Sequence, residues 1–179
     1  MEQGKKSAQR GDESFASVAE FAPAMLWRGD AQGKCVYLNR AQREFWGVAE
    51  DGVASFSWSS TLLEEDAHQV YGPFSEGMSQ QKPFQCEARY RRADGAIRVL
   101  QTRAEPYFDG DGVFIGMIGV NTDVTEERAA QAEIAVNEAR RRLMMSEMSH
   151  RIKNMLSTVL SISAQTGRTA KSYEAFSAS

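Results

Sequence analysis

Apolar and polar residues alternate most regularly between Phe84 and Arg91, where Phe84, Cys86, Ala88 and Tyr90 interleave with Gln85, Glu87, Arg89 and Arg91. A period of two sends the first set to one face of a β-strand and the second to the other. Asp94-Gly95 turns this strand into a second, Ile97 to Tyr107, and Asp109-Gly110-Asp111-Gly112 turns that into a third, Val113 to Val120. Consecutive strands joined by short turns predict an antiparallel meander. Upstream, Met25 to Gly29 and Lys34 to Asn39 flank the turn Asp30-Ala31-Gln32-Gly33 and predict a hairpin. Between the two groups of strands the pattern becomes helical. Arg40 to Trp46 predicts a short helix stopped by Gly47. After a Ser- and Gly-containing loop, Thr61-Leu62-Leu63-Glu64 has capping-box spacing and opens a run of Leu63, Ala67, Val70, Phe74 and Met78 at helical intervals. Gly72-Pro73 is expected to kink or split this helix, because proline has no amide donor and crowds the preceding turn. A short amphipathic helix with Phe15, Val18 and Ala19 is expected from Ser14 to Pro23, and residues 1–13, with nothing to bury, are expected to be disordered. The fold class is α+β, a five-stranded antiparallel sheet with small flanking helices, followed by a long C-terminal helix.

In that C-terminal helix the apolar positions recur at spacings of three and four. Met145, Met148, Ile152, Met155, Val159 and Ile162 form one seam of the kind that packs in a bundle or coiled coil. Ala132, Val136, Ala139 and Leu143 form another, and the phase breaks at Leu143-Met144-Met145. Continuing the upstream seam would bring Ser146 and His150 inside. With Met145 at a and Met148 at d, His150 falls at f, the position farthest from a partner helix.

Composition sharpens the boundary between the two parts. All four prolines lie before residue 120, as do all glycines except Gly167 and all aromatics except Tyr173 and Phe176. A net charge of -3 gives no electrostatic argument for nucleic acid or an anionic membrane. The sequence contains no apolar run long enough to span a bilayer and no apolar segment of a signal peptide after Met1, so it reads as cytoplasmic. Cys35 and Cys86 lack metal or redox spacing and read as buried free thiols.

The chemistry worth weighing is that of His150, one of two histidines. Near neutral pH an exposed imidazole is largely unprotonated and nucleophilic. Metal binding fits less well, since no second ligand at the right spacing lies nearby, and no metal site is expected. Glu147 lies one turn before His150, and Lys153 and Asn154 one turn after, placed to orient the ring or meet a phosphate.

The stretch Ser149-His150-Arg151-Ile152-Lys153-Asn154-Met155-Leu156 resembles the His-Arg-x-Lys-Asn box of sensor histidine kinases of the HWE and related HisKA_2 type. The resemblance implies that His150 is phosphorylated by ATP and hands the phosphoryl group to an aspartate of a response regulator receiver domain, with Arg151, Lys153 and Asn154 as the matching box residues. Arg151 stands where the larger class of histidine kinases has an acidic residue, which favours the HWE-like branch and makes Glu147 the candidate proton acceptor. The order of strands and helices, with Val36-Tyr37-Leu38-Asn39-Arg40, Glu64-Glu65-Asp66, the run Glu87 to Gly95, Gly116 and Asp123-Val124-Thr125-Glu126, is similar to a PAS domain. That family admits haem, flavin, a small metabolite or no ligand, and no cofactor-binding residue is singled out. A cysteinyl-flavin of the LOV type is not expected, because Leu38-Asn39-Arg40-Ala41-Gln42-Arg43 holds no cysteine. His68 reads as a surface residue rather than a haem ligand, and Trp27, Phe45, Trp46 and Trp58 as core.

Together these imply a tail over 1–13, a PAS sensor domain over 14–126, a coiled-coil linker over 127–145, and the first part of a dimerisation and histidine-phosphotransfer domain over 146–179. The ATP-binding domain is expected to lie outside this chain, which should be inactive alone, and the chain is expected to form a homodimer without entering a membrane. Two rival readings remain at this level: a PAS-regulated dimerisation module of a non-kinase signalling protein, and a non-catalytic phosphotransfer scaffold.

Overall fold

A computed structural model describes residues 17–177, with side chains through residue 162. The expected disordered tail over 1–13 lies outside the described residues. A short helix, α1 (residues 17–21), leads into β1 (Met25–Asp30) and β2 (Cys35–Leu38), then α2 (Arg40–Trp46). Three short 3-10 segments, Glu50–Ser55, Trp58–Thr61 and Glu64–Asp66, precede α3 (Ala67–Gln80). The meander follows as β3 (Phe84–Arg91), β4 (Ile97–Phe108) and β5 (Phe114–Asp123), and the chain continues into α4 (Thr125–Ser177). The five strands form one sheet in the order β2-β1-β5-β4-β3, with every neighbouring pair antiparallel. Pairing of β1 with β5 therefore splices the N-terminal hairpin onto the meander.

The inward face of the sheet carries Leu38, Cys86, Ala88, Tyr90, Leu100 and Met117, all buried, and α2, α3 and the 3-10 turns cover it. Asn39 is the main polar tie of this layer. Its Oδ1 accepts from the amide of Gln42 at the start of α2 and from that of Leu26 in β1, and its Nδ2 donates to the carbonyls of Ala19, Ala22 and Ala24. One buried carboxamide thus caps α2 and fastens α1 to the sheet, which satisfies backbone groups that would otherwise be buried unpaired. Gly47 closes α2 at φ 68°, the left-handed conformation expected of a glycine stop.

Two helix expectations are corrected. Thr61-Leu62-Leu63-Glu64 does not cap a helix: Thr61 Oγ1 donates to the Trp58 carbonyl, Leu62 bridges to Tyr90, and the Leu63 amide donates to Arg89, so α3 begins only at Ala67. Pairing with the edge strand β3 uses the backbone groups that a helix would have needed. Nor is α3 split at Gly72-Pro73, since it runs unbroken from Ala67 to Gln80 with Pro73 inside. Gly72 explains the tolerance in part, because without a Cβ it avoids the clash that biases the residue before proline away from helix.

The compact unit ends at Arg128, and a second unit begins at Ala129. The first turn of α4 is bound into the first unit. Asp123 Oδ1 accepts from the amide and hydroxyl of Thr125, Arg98 Nε reaches Asp123 Oδ2 at 2.7 Å, the Val99 amide donates to Thr125 Oγ1, and Arg128 forks onto Glu87. Among the described residues no helix is long and apolar enough to cross a membrane.

Candidate functional site

α4 is continuous through the predicted box, so helical geometry fixes which residues share a face. At roughly 100° per residue, His150, Asn154, Glu147 and Lys153 fall on one side and the Met145/Met148/Ile152/Met155 seam on the other, with Arg151 at the boundary. Asn154 Nδ2 lies 3.4 Å from His150 Nδ1, the contact expected of positions four apart. Among the described residues the side chains of Glu147, Arg151 and Lys153 form no hydrogen bond or ion pair, and all five side chains are exposed. The seam residues are exposed as well: Met148 is 62% and Met155 68% accessible. The same arithmetic places Ala132, Val136, Ala139 and Leu143 on the His150 face, so α4 carries two apolar stripes on opposite sides with the crossover near Leu143.

The PAS-like unit holds a second candidate, an apolar cavity of about 60 Å³ between the sheet and α3. Trp27, Trp46 and Trp58 wall it along with Phe74 and Tyr90. Phe45 is buried in the core and the three tryptophans are part-buried, so these aromatics pack on the core and three of them also face the cavity. Cys35 and Cys86 line it too, and burial pushes both thiols up, which keeps them protonated and poorly nucleophilic. They lie on β2 and β3, the two edges of the sheet. His68 is exposed at the start of α3 and does not line the cavity.

Sequence reasoning missed a buried polar chain beside this cavity. Thr102 Oγ1 donates to Asn121 Oδ1 at 2.8 Å, and Asn121 Nδ2 donates to Gln42 Oε1 at 2.7 Å. The available signal was the strand period, which puts Thr102 with Leu100 and Ala104, and Asn121 with Met117, on the core face. Polar residues at positions that should be apolar mark a network or a ligand contact.

Comparison with known proteins matches the two parts separately. Residues 35–121 match the model of the PAS fold, and residues 147–179 match that of the HWE histidine kinase. An uncharacterized protein, y4lL, of Sinorhizobium fredii is 29% identical over 119 residues, 66% of this chain and 14% of that protein. A blue-light-activated histidine kinase of Brucella anthropi is 27% identical over 163 residues, 90% of this chain and 31% of that protein. The chain thus spans less than a third of the length of either relative. The crystal structure of a sensory box histidine kinase/response regulator from Burkholderia thailandensis shares the fold, with a TM-score of 0.56 at 20% identity over 72% of this chain and 97% of that one. The strand order, the exit through Asp123 and Thr125 and the box around His150 agree with these matches: the chain carries a PAS domain followed by an HWE-type histidine kinase segment.

Proposed function

We propose that this chain is the sensory and phosphoacceptor portion of a two-component sensor histidine kinase, with His150 as the phosphorylated residue. The observation that carries the reading is the position of His150 on α4 within the HWE-matched segment, opposite the Met148/Ile152/Met155 seam and with Asn154 against its Nδ1. ATP, bound by a catalytic domain outside these residues, supplies the phosphoryl group. An Asn154 amide turned so that its oxygen accepts from Nδ1–H leaves the lone pair on Nε2, which attacks the γ-phosphorus while the bond to the departing ADP oxygen breaks. The ring then carries its Nδ1 proton as surplus, and Glu147, one turn away on the same face, is the candidate carboxylate to take that proton as the Asn154 oxygen gives it up. Lys153 and Arg151 contribute positive charge where the transferred group gathers negative charge. A receiver aspartate of a response regulator is the next acceptor. The reaction belongs in the cytoplasm, where ATP and receiver domains are found.

The test mixes the purified chain with the catalytic domain of its own full-length protein and ATP. Acid-labile phosphate should appear on the chain, vanish in His150→Ala and persist in His68→Ala. Asn154→Ala should slow labelling by roughly 10²-fold, within the range of acid–base and orientation effects. Labelling that survives His150→Ala removes the proposal.

A further inference from the structure

The first turn of α4 is fastened to the sheet at two places that differ in kind. One joins Asp123 and Thr125 to Arg98 and the Val99 amide of β4. β4 is paired on both sides, so moving it disturbs two ladders. The other is the fork of Arg128 onto Glu87 of β3, with Nε 2.7 Å from Oε1 and Nη2 2.6 Å from Oε2. Among the described strands β3 pairs with β4 alone, and an edge held by one ladder shifts at lower cost.

The helix itself does not call for Arg128. The positive end of the helix dipole favours anions, which Glu126 and Glu127 supply, and a guanidinium at the end of that turn runs against it. Nor is the pair a strong brace. Its side chains are 39% and 32% exposed, where water and salt screen an ion pair. What a two-pronged contact supplies is direction. Thr125 and Arg128 lie one turn apart, so holding both fixes the rotation of α4 about its own axis, and the continuous helix carries that phase onward.

β3 is also where the rest of the PAS domain can act on this contact. Its inward side chains Phe84, Cys86 and Tyr90 line the cavity. Its free edge is bonded to the segment that enters α3: the Leu63 amide donates to the Arg89 carbonyl, and Asp66 accepts from the amide and guanidinium of Arg89. Glu87 stands two positions away on the outward side, so a displacement of either neighbour reaches it through one strand.

We infer that Glu87 is a positioning residue, which through Arg128 sets the helical phase at which α4 leaves the PAS domain and passes a shift of β3 to that helix. Its consequence for His150 rests on the phosphoacceptor reading, whereas the contact is measured in the 179-residue chain alone. Hydrogen exchange is followed at the amides of Arg128 to Ala132, against those of β4 and β5 as the gauge of global stability, in Glu87→Gln, Arg128→Gln and the double variant. Each single change should lower protection over 128–132 by about fivefold and leave the strands within about twofold, and the double should be no lower than either single. Arg89→Gln frees β3 from Asp66 without touching Arg128, and should lower the same amides by about twofold or more in the native background but not in the Glu87→Gln background. With the catalytic domain and ATP, both Glu87→Gln and Arg128→Gln should change the rate of His150 labelling in the same direction. Protection that is unchanged, that falls equally in the strands, or that falls additively in the double variant overturns the inference, as does an Arg89→Gln effect that ignores Glu87. A native chain that takes no label on His150 sinks the phosphoacceptor reading instead, and the exchange data still decide the role of Glu87.

Discussion

At Gly116 the backbone adopts φ 148°, and a Cβ there would overlap the carbonyl oxygen of Gly29 on the neighbouring strand. The β1–β5 pairing that joins hairpin to meander runs through this contact, with Gly116 opposite Asp30. Gly116→Ala should cost on the order of 3 kcal/mol, read as a lower urea midpoint at unchanged slope. Asp66 gives a residue-scale effect of another kind. It is buried, and its carboxylate accepts from the backbone amide and the guanidinium of Arg89, which hold its pKa down to about 2. A depressed carboxylate stabilises the fold at pH above the ordinary aspartate range and loses that contribution as pH falls towards 2. Asp66→Asn should therefore be about 2 kcal/mol less stable than the native chain at pH 7, with the gap narrowing as pH falls from about 4 to 2. A gap independent of pH would mean that shape, not charge, is what Asp66 supplies. Residues of this type were hard to read in the sequence. Asn39 is fully buried, and its partners Ala19, Ala22 and Leu26 lie well outside any local window. Gln42 looks like a surface position of a short helix until Asn121, far along the chain, reaches it.

Secondary structure was legible wherever the determinant was local. The alternation of β3 and the Asp-Gly turns reproduced the meander, although β4 and β5 run further than expected, to Phe108 and Asp123. The error at Thr61 arose because a local cap signal lost to pairing with β3, and the error at Pro73 because one missing backbone bond does not outweigh packing of α3 on the sheet. α4 poses the opposite case, a helix whose pattern is fully local and whose two stripes disagree. A partner helix that follows the upstream stripe covers the His150 face, while one that follows the downstream stripe leaves it open. These are two arrangements between which an input of a few kcal/mol can choose. Deleting or inserting residues between Glu133 and Leu143 of the full-length protein should thus change kinase activity with a period near seven, since whole heptads restore phase. A flat response, or one that declines steadily with length, would show that phase is not the carrier. The box around His150 was read from its resemblance to a family pattern, and the one contact within it, between Asn154 and His150, is what positions four apart on a helix make without help from the rest of the fold.

For the molecule as a whole, the apolar surface of α4 sets the expected assembly. Ile134, Val136, Leu143, Met145, Met148, Ile152, Met155 and Val159 are all exposed, and within the first unit Val18 and Phe21 of the N-terminal helix are exposed as well. Covering apolar patches of this extent favours association, and a second copy of the same stripe is the partner that an isologous helix pair needs. Light scattering over a concentration series should give a mass above the 19.9 kDa of one chain. Met148→Glu with Met155→Glu should return it to that value, and a strict monomer in the native protein would leave the helix without its proposed partner. The distribution of one residue type adds a practical consequence. The chain has three tryptophans, and all three, Trp27, Trp46 and Trp58, stand on the cavity wall. Emission excited at the red edge, where tyrosine absorbs little, therefore comes from residues on that cavity wall, since α4 carries no tryptophan. Wavelength and lifetime can then report on the surroundings of that cavity while phosphorylation of the chain is assayed separately, so a change at one end can be timed against a change at the other.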